Sequence, residues 1–192
     1  MKLPVVKYGH PVLRQKGARI ERITPEIEQL INDMFETMYE AKGVGLAAQQ
    51  VGKALQLTVI DVREATDRPS TLELNGQPAD PASIMPIALI NPDWKPVNDP
   101  VEGAEGCLSF PEIYADISRP ETIDVTATNQ KGERFSFRCG GLLARAIQHE
   151  YDHLHGVLFI DRMDKATLKK IKPELEGLVY STKNALKKMR RR

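Results

Sequence analysis

The sequence is short of cysteine and of aromatic residues, and it lacks any long apolar run. Its 192 residues include two cysteines, one tryptophan and 6% aromatic residues. Two cysteines allow at most one disulfide, Cys107–Cys139, which is the structural alternative to a functional role for either residue. No apolar run approaches the roughly 20 residues that a membrane-spanning helix needs, so we expect no membrane partner. The net charge of +1 gives no electrostatic reason to expect a polyanionic partner for the whole chain.

The first twenty residues lack the features of a targeting segment. They are basic and contain no acid, as a transit peptide does, but serine is absent and two prolines interrupt them. A secretory signal pattern is absent as well. We therefore expect a cytoplasmic protein, in whose reducing environment Cys107 and Cys139 stay unpaired.

The order of the predicted elements indicates an α+β fold, with antiparallel or mixed sheets packed around a central helix. Residues 24–43 predict an N-terminal helix that Thr24 caps and Gly43 ends. Strands are predicted in "LQLTVIDV", in "PIALINPDW" and in a hairpin that turns at "NQKG". Residues 64–83 are rich in turn formers and predict an exposed excursion.

A chain of 192 residues has the length of one domain. We assign its main part to residues 1–164, and a C-terminal helix with a basic tail to residues 165–192 of the same domain. Pro173 is expected to begin the main part of this helix, because proline fits a first turn and disrupts a helix interior. An apolar stripe from Leu175 to Met189 is expected to dock on the domain. Positive charge gathers at the end, in Lys183, Lys187, Lys188, Arg190, Arg191 and Arg192.

The segment "IQHEYDHLHG" places His149, Glu150 and His153 in an HExxH motif. The run "GLLARAIQHEYDHLHG" has apolar residues at helical spacing and ends at Gly156, which predicts a helix. Two histidines one turn apart lie on the same helix face and can bind one metal ion. Glu150 then lies beside the ion, where a carboxylate can act as a base on a metal-bound water. The alternative is a solvated helix that carries the pattern by chance.

A catalytic metal site needs a third protein ligand, and the residues alone leave its identity open. The longer pattern HExxHxxGxxH takes its third histidine from the same stretch, but Phe159 occupies that position here. His155 points to another side of the helix. The remaining candidates are His10, Cys107, Cys139 and the carboxylates. Cys107 lies in the glycine-bracketed "EGAEGCLSFPE", a segment flexible enough to bring its backbone close to a ligand, and Cys139 fits a buried core position.

Three separated segments resemble the signature of the peptide deformylase family. They are "GVGLAAQQ" (43–50), "EGCLS" (105–109) and "HEYDH" (149–153). They stand in the family's order, and the similarity extends from "VVKYGHPVLR" to "GVLFIDRM". The resemblance implies that residues 1–164 form a deformylase catalytic domain. Its activity would be removal of the N-formyl group from the N-formylmethionine of nascent polypeptides, with release of formate.

The resemblance also implies a metal site and a base. Cys107, His149 and His153 match the three metal ligands, with water as the fourth, and Glu150 matches the general base and acid. One divalent metal ion per chain is implied, with Fe²⁺ first and Zn²⁺, Ni²⁺ or Co²⁺ as substitutes.

The implied reaction is consistent with the chemistry of these groups. A metal ion lowers the pKa of its bound water, and this water attacks the formyl carbon while Glu150 moves the proton to the leaving amine. The carbonyl oxygen becomes an oxyanion, which needs preorganised donors. By the resemblance, these donors are Gln50 and the backbone N–H of Leu108. Gly45 matches a glycine whose backbone meets the substrate peptide.

The face of the metal helix also predicts a slot for the methionine side chain. Leu142 and Ala146 share this face with His149, so both lie beside the metal. Together with Val44 and Phe110 they form an apolar slot, or else they are ordinary core residues.

Charged residues near the motifs are expected to orient the ligands. Glu105 and Asp152 can accept the second ring N–H of a metal-bound histidine. Arg119 can pair with either carboxylate or lie on the surface. Arg145, one turn before His149, either closes the slot or points to solvent.

Two other functions fit parts of the sequence. An HExxH zinc metallopeptidase would cut internal peptide bonds with a third His or Glu ligand, and an inactive relative would act as a binding module. Phe159 and the "EGCLS" segment argue against the first, and the intact ligand and base residues argue against the second. We expect a monomer whose partners are formylmethionyl nascent peptides and, through its basic C-terminal helix, the ribosome with its RNA phosphates.

Overall fold

The protein folds into three α-helices and nine β-strands, which a computed structural model describes over residues 1–191. Arg192, the last residue of the predicted basic tail, lies outside the described residues. The helices are α1 (Pro25–Glu40), α2 (Gly141–Leu154) and α3 (Lys165–Met189). The strands are β1 (Gly45–Ala47), β2 (Leu57–Ile60), β3 (Ser70–Leu74), β4 (Gln77–Ala79), β5 (Ile87–Pro96), β6 (Pro100–Cys107), β7 (Phe110–Pro120), β8 (Thr122–Thr128) and β9 (Arg134–Gly140). In this part of the chain, each helix is too short or too polar to cross a membrane.

The strands form two antiparallel sheets, which confirms the α+β class. Seven strands build one sheet in the order β1-β2-β5-β8-β9-β3-β4, and β6 and β7 build a separate hairpin. Every pair of these strands is antiparallel, so the alternative of mixed sheets does not apply to them. Helix α2 contacts several strands of the large sheet and also β7 of the hairpin. The helix that carries the HExxH residues therefore joins the two sheets.

Helix α1 begins at the predicted Thr24 cap, but the residue that turns the chain at its end differs from the prediction. The Thr24 hydroxyl accepts a hydrogen bond from the Ile27 N–H at 3.3 Å, which satisfies a free donor of the first turn. At the other end the Gly43 N–H donates to the Met38 carbonyl. The left-handed residue of this turn is Lys42, at φ 55°, in place of the expected glycine. The apolar face buries Ile31, Met34 and Met38.

The prediction for residues 64–83 is correct in exposure, since most of these residues are exposed and only Leu72 is buried, but the segment is not an irregular excursion. This segment contains the β3–β4 hairpin, which forms one edge of the large sheet. Leu72 lies opposite Cys139 of β9 and is 3% exposed, within the main apolar cluster. A strand of five residues with a single buried side chain gives too weak an alternation to stand out among turn formers.

The same segment also fixes the start of α2. The first N–H groups of a helix have no partner inside it. Here the Ser70 hydroxyl accepts from the Leu143 N–H at 3.0 Å, and the Pro69 carbonyl accepts from the Leu142 N–H at 3.0 Å. The first turn of the helix is therefore anchored by a neighbouring strand, and no side chain of its own caps it.

The prediction that Pro173 begins a helix is wrong, because α3 runs without interruption from Lys165 to Met189 with the proline inside. The helix begins earlier, where the Asp164 carboxylate accepts from the Thr167 N–H at 2.7 Å. A proline removes one helical hydrogen bond, and packing offsets that loss. Leu168, Ile171, Leu175 and Leu178 lie against a third apolar cluster, which contains Phe110, Ile117 and Phe159. Met189, from the predicted docking stripe, is 72% exposed.

Leu72→Ala tests whether the β3–β4 hairpin belongs to the core. Removing a side chain that is 3% exposed should lower the free energy of unfolding by about 2–4 kcal/mol, because it leaves a cavity. Chemical denaturation measures the change. Gln77→Ala, at an exposed position of β4, is the control and should stay within about 0.5 kcal/mol of the wild type. Equal stability of the two variants would show that the β3–β4 hairpin does not belong to the core.

Candidate metal centre

Helix α2 is buried along nearly its whole length, although half of its buried residues are polar. Buried polar groups need hydrogen-bond partners, and most of those on α2 have them. Gln148, for example, donates to the carbonyls of Pro120 and Ala144 at 2.9 and 3.1 Å. His149, Glu150 and His153 are 7%, 5% and 1% exposed. The motif therefore lies inside the molecule, and the alternative of a solvated helix does not apply.

Cys107 joins the two histidines in space, and the other candidates for a third ligand do not. It lies at the end of β6, where the hairpin turns. One potential ligand atom from each of Cys107, His149 and His153 lies within 4.8 Å of the other two. His10 instead accepts from the Val12 N–H, and His155 bonds the Tyr151 carbonyl. Cys139 is a free thiol in the core.

The spacing of the three groups fits a metal ion. Cys107 Sγ lies 3.4 Å from His153 Nε2. Ligands at ordinary Zn–S and Zn–N distances around a tetrahedral ion are about 3.5 Å apart. Burial, reinforced by the charge of His149, lowers the pKa of His153 well below its ordinary value. A neutral imidazole is the form that binds a metal, and His153 is in that form. Burial alone would lower the pKa of His149, but hydrogen bonds to Cys107 and Glu105 raise it well above its ordinary value, so a metal ion would have to displace a proton from His149.

Glu105 orients His149 from behind. Its Oε1 accepts the Nδ1–H of His149 at 2.8 Å, which leaves the other ring nitrogen for a metal ion. Arg119 binds both oxygens of the same carboxylate, at 2.6 and 2.9 Å. Burial alone would raise the pKa of Glu105, but the hydrogen bonds from His149 and Arg119 outweigh it and lower the pKa to about 2. The carboxylate is therefore ionised over the whole physiological range.

A second buried carboxylate, Asp152, lies on the other side of Arg119. Its Oδ2 accepts from the Arg119 guanidinium at 2.9 Å, and Arg162 binds both of its oxygens at 2.6 and 2.8 Å. Arg119 is 3% exposed, so the alternative of a surface arginine is excluded. Asp152 was expected to accept a hydrogen bond from a histidine, but within residues 1–191 its side-chain partners are Arg119 and Arg162. Asp152 instead completes an ion network beneath the helix.

Glu150 lies against the backbone of Gly45. A Cβ added at Gly45 would lie 2.8 Å from Glu150 Oε1 and 3.0 Å from its Cγ, so this position has no space for a side chain. Among residues 1–191, Glu150 Oε2 finds no hydrogen-bond partner. Burial raises the pKa of this carboxyl to about 7. A buried carboxyl with a free oxygen and a pKa near neutrality has the properties of a general base or acid.

Gln50 and Leu108 lie beside Cys107, held by a hydrogen-bond network. The Gln50 side-chain oxygen accepts from the Ala47 N–H at 3.0 Å, which directs its NH₂ group towards Ser109 Oγ (3.2 Å) and Cys107 Sγ (3.6 Å). The Leu108 carbonyl accepts from the Lys7 ammonium at 2.8 Å. Lys7, from the N-terminal segment, therefore holds the peptide group that follows Leu108 in place.

A cavity of about 620 Å³ opens onto these groups. All of the predicted slot residues line it, and Phe110 stacks on Tyr8 with ring centroids 4.8 Å apart. Tyr114, 73% exposed, lies at the mouth of the cavity. Phe159, which replaces the third histidine of the longer motif, packs against His149, with the two ring centroids 5.7 Å apart. The cavity lining includes Val44, Gly45, Gln50, Cys107, Leu108, Phe110, Leu142, Ala146, His149 and Glu150.

Three residues that support the site were not predicted from the sequence: Lys7, Ser109 and Arg162. Lys7 and Leu108 are 101 positions apart, and no periodicity or motif links them. Ser109 is part of the "EGCLS" segment, which was a usable signal for its contact with Gln50. Arg162 follows the helix in an unremarkable charged stretch, so only the fold places it beside Asp152.

The chain also matches known proteins over most of its length. Residues 2–169 match the family model described as polypeptide deformylase. A peptide deformylase from Opitutus terrae is 45% identical over 189 residues, which is 97% of this chain and 98% of that protein.

Solved structures agree in fold. The crystal structure of Arabidopsis thaliana peptide deformylase 1B in complex with an inhibitor has 41% sequence identity and a TM-score of 0.77, and the match covers 93% of this chain and 90% of that one. Peptide deformylase from Thermus thermophilus has 35% identity and a TM-score of 0.78, with 94% and 99% covered. The chain therefore belongs to the polypeptide deformylase family.

Proposed function

We propose that this protein is a metal-dependent hydrolase that removes the N-formyl group from the N-formylmethionine of nascent polypeptides and releases formate. One observation carries the proposal: Cys107, His149 and His153 converge next to the buried carboxyl of Glu150, at the base of an open cavity. Membership of the deformylase family supports it.

Cys107, His149 and His153 would hold the metal ion. A thiolate with two imidazoles suits borderline divalent metals, among which we propose Fe²⁺, with Zn²⁺, Ni²⁺ or Co²⁺ as substitutes. When bound, the ion supplies a water of lowered pKa and polarises the formyl carbonyl. Glu105 and Arg119 hold the His149 ring in the orientation that this role requires.

The proton transfers are proposed for Glu150. Glu150 lines the cavity, its Oε2 lacks a hydrogen-bond partner within residues 1–191, and its pKa of about 7 lets it accept a proton from the attacking water. The same carboxyl then donates that proton to the departing amine nitrogen, which completes hydrolysis of the formamide bond. Gly45 keeps this position accessible, because any side chain there would collide with Glu150.

Donors for the developing oxyanion are proposed in the Gln50 side-chain amide and the backbone N–H of Leu108. The hydrogen bonds of Gln50 to Ala47 and Ser109 fix its amide before substrate arrives. The Lys7 contact to the Leu108 carbonyl holds the turn. Preorganised donors of this kind typically contribute about 3 kcal/mol each to barrier lowering.

The methionine side chain is proposed to enter the apolar part of the cavity. Val44, Leu142 and Ala146 line it beside the proposed metal ligands. Phe110, which is 1% exposed, also lines it. Gly45, on β1, leaves its backbone open to the substrate peptide.

The two other functions predicted from the sequence are not favoured. A metallopeptidase of the longer HExxH pattern needs a third ligand from the same stretch, and Phe159 is buried there against aromatic rings. An inactive relative would lack a ligand or the base, and all four groups are in place. Formate release from formyl-Met-Ala-Ser, without cleavage of its internal bonds, tests the proposal, and internal cleavage would contradict it.

We further propose that residues 1–164 and 165–192 form one domain, that the protein is a cytoplasmic monomer and that its tail binds the ribosome. Leu175 and Leu178 of α3 pack on the third apolar cluster, which supports a single domain. Farther along, Lys183, Lys187 and Lys188 of α3 are exposed, as are Arg190 and Arg191 after its end, so these cations are available to RNA phosphates.

Glu150→Gln should retain the metal and reduce turnover of formyl-Met peptides by about 10²- to 10⁴-fold, because the amide is of similar size but cannot shuttle a proton. Metal analysis and formate release are measured on the same preparation. A variant with full metal and a wild-type rate would remove Glu150 from the mechanism.

The two cysteines form a matched pair for testing the metal site. Cys107→Ala should lose most of the bound metal, because it removes the thiolate that lies together with His149 and His153. Cys139→Ala should retain it, since that thiol is buried in the core and burial raises its pKa. Elemental analysis measures the metal content of both variants. Loss of metal from the Cys139 variant alone would show that Cys107 is not the ligand.

Truncation before Lys183 tests the ribosome proposal. The shortened protein keeps Leu175 and Leu178, which dock α3, so its activity on short formyl peptides should be nearly unchanged. Its co-sedimentation with ribosomes at low salt should fall, because exposed cations are lost, and the loss should shrink as salt rises. Neutralising Lys131 and Arg134, which are exposed at the β8–β9 turn, is the control for charge alone. Equal sedimentation of truncated and full-length protein would refute tail binding.

A further inference from the structure

Arg145 reaches from α2 across to the β6–β7 hairpin. It is 8% exposed and lies one turn before His149. Its Nη1 donates to Glu105 Oε2 at 2.9 Å and to the Ile117 carbonyl at 2.7 Å, and its Nη2 donates to the Val101 carbonyl at 3.0 Å. One side chain of the helix therefore binds both strands of the hairpin and the carboxylate that orients His149.

Gly103 forms the surface on which this guanidinium rests. A Cβ added at Gly103 would lie 2.7 Å from Arg145 Nη2, 2.8 Å from Cζ and 2.8 Å from Nε. Contact with all three atoms means that the planar head lies flat against the glycine backbone. Because the head is held by its hydrogen bonds to the hairpin, it cannot move aside without breaking them. A residue with a side chain at position 103 is therefore incompatible with Arg145 in this position.

This contact connects the two elements that carry the proposed metal ligands. Cys107 ends β6, four residues after Gly103, whereas His149 and His153 lie on α2. Displacement of the hairpin relative to the helix would change the distance between the sulfur and the imidazoles. Glu105 Oε2 accepts from both Arg145 and Arg119 Nε, while Oε1 accepts from His149 and from Arg119 Nη2.

We propose that Arg145, seated on Gly103, is a positioning residue that holds the Cys107 hairpin against α2 and thereby determines the affinity and geometry of metal binding. The proposal rests on the metal site of the proposed function. It assigns Arg145 no contact with the reacting atoms.

A double-mutant cycle on Gly103 and Arg145 tests this role, with Co²⁺ as the probe. Co²⁺ absorption bands report the affinity and the coordination geometry of a thiolate site independently of turnover. Gly103→Ala and Arg145→Ala should each weaken Co²⁺ binding by about 10- to 100-fold, the range typical of groups behind the ligands, and should shift the bands. In the Arg145→Ala background, Gly103→Ala should add little, because the collision no longer exists.

Two further variants separate positioning from simple stabilisation. Arg145→Lys keeps the positive charge beside Glu105 but lacks the planar fork, so it should recover only part of the Co²⁺ affinity. Arg138→Ala removes an exposed arginine that pairs with Asp124, and it should leave Co²⁺ binding unchanged.

The outcomes distinguish this proposal from the proposed function. Additive effects of the two substitutions, or variants with lowered thermal stability but wild-type Co²⁺ affinity and spectra, would overturn the positioning role while leaving the metal site intact. If the wild-type protein bound no Co²⁺ at any concentration while folded, the proposed metal site would fail, and the positioning role with it.

Discussion

The geometry of the site depends on one buried carboxylate, that of Glu105. An isolated charge in a protein interior is strongly unfavourable unless it is paired and fully hydrogen-bonded. Glu105 meets that condition through Arg119, Arg145 and His149, which come from β7 and from two turns of α2. Because each partner must reach the same group, the carboxylate holds the hairpin and the helix in one relative position.

The polar interior of α2 follows from the same constraint. A helix that is buried on all sides is normally apolar, but α2 carries Arg145, Gln148, His149, Glu150, Asp152 and His153 inside the molecule. Arg145 and Gln148 donate to backbone carbonyls, and Asp152 is held in ion pairs. The buried side-chain atoms of α2 without a hydrogen-bond partner within residues 1–191 are Glu150 Oε2 and His153 Nδ1. Two further atoms in this part of the chain lack a partner, Gln49 Oε1 and Trp94 Nε1, and both lie outside α2. Glu150 lines the cavity, so a substrate or water there can provide the partner that its Oε2 lacks.

The elements around the cavity supply complementary kinds of support. The N-terminal segment holds the turn after Cys107 through Lys7, and the β3–β4 hairpin fixes the first turn of α2 through Ser70. Glycines occur where backbone and functional side chains touch, at Gly45 against Glu150 and at Gly103 against Arg145. In both places a Cβ would displace a group that the site requires.

The sequence by itself determined α1 with its Thr24 cap, the strands around "NQKG" and the helix that bears HExxH, because these depend on local periodicity and capping. It also indicated the four central groups of the site, since His149, Glu150 and His153 are local in sequence and Cys107 lies in a recognisable segment. Only the tertiary structure decided that Arg145 turns inward, that residues 70–79 form a sheet edge and that α3 continues through Pro173. Each of these depends on contacts between distant residues, such as Arg145 with Val101 or Leu72 with Cys139. Such contacts override local propensity and leave no periodic signal in the chain.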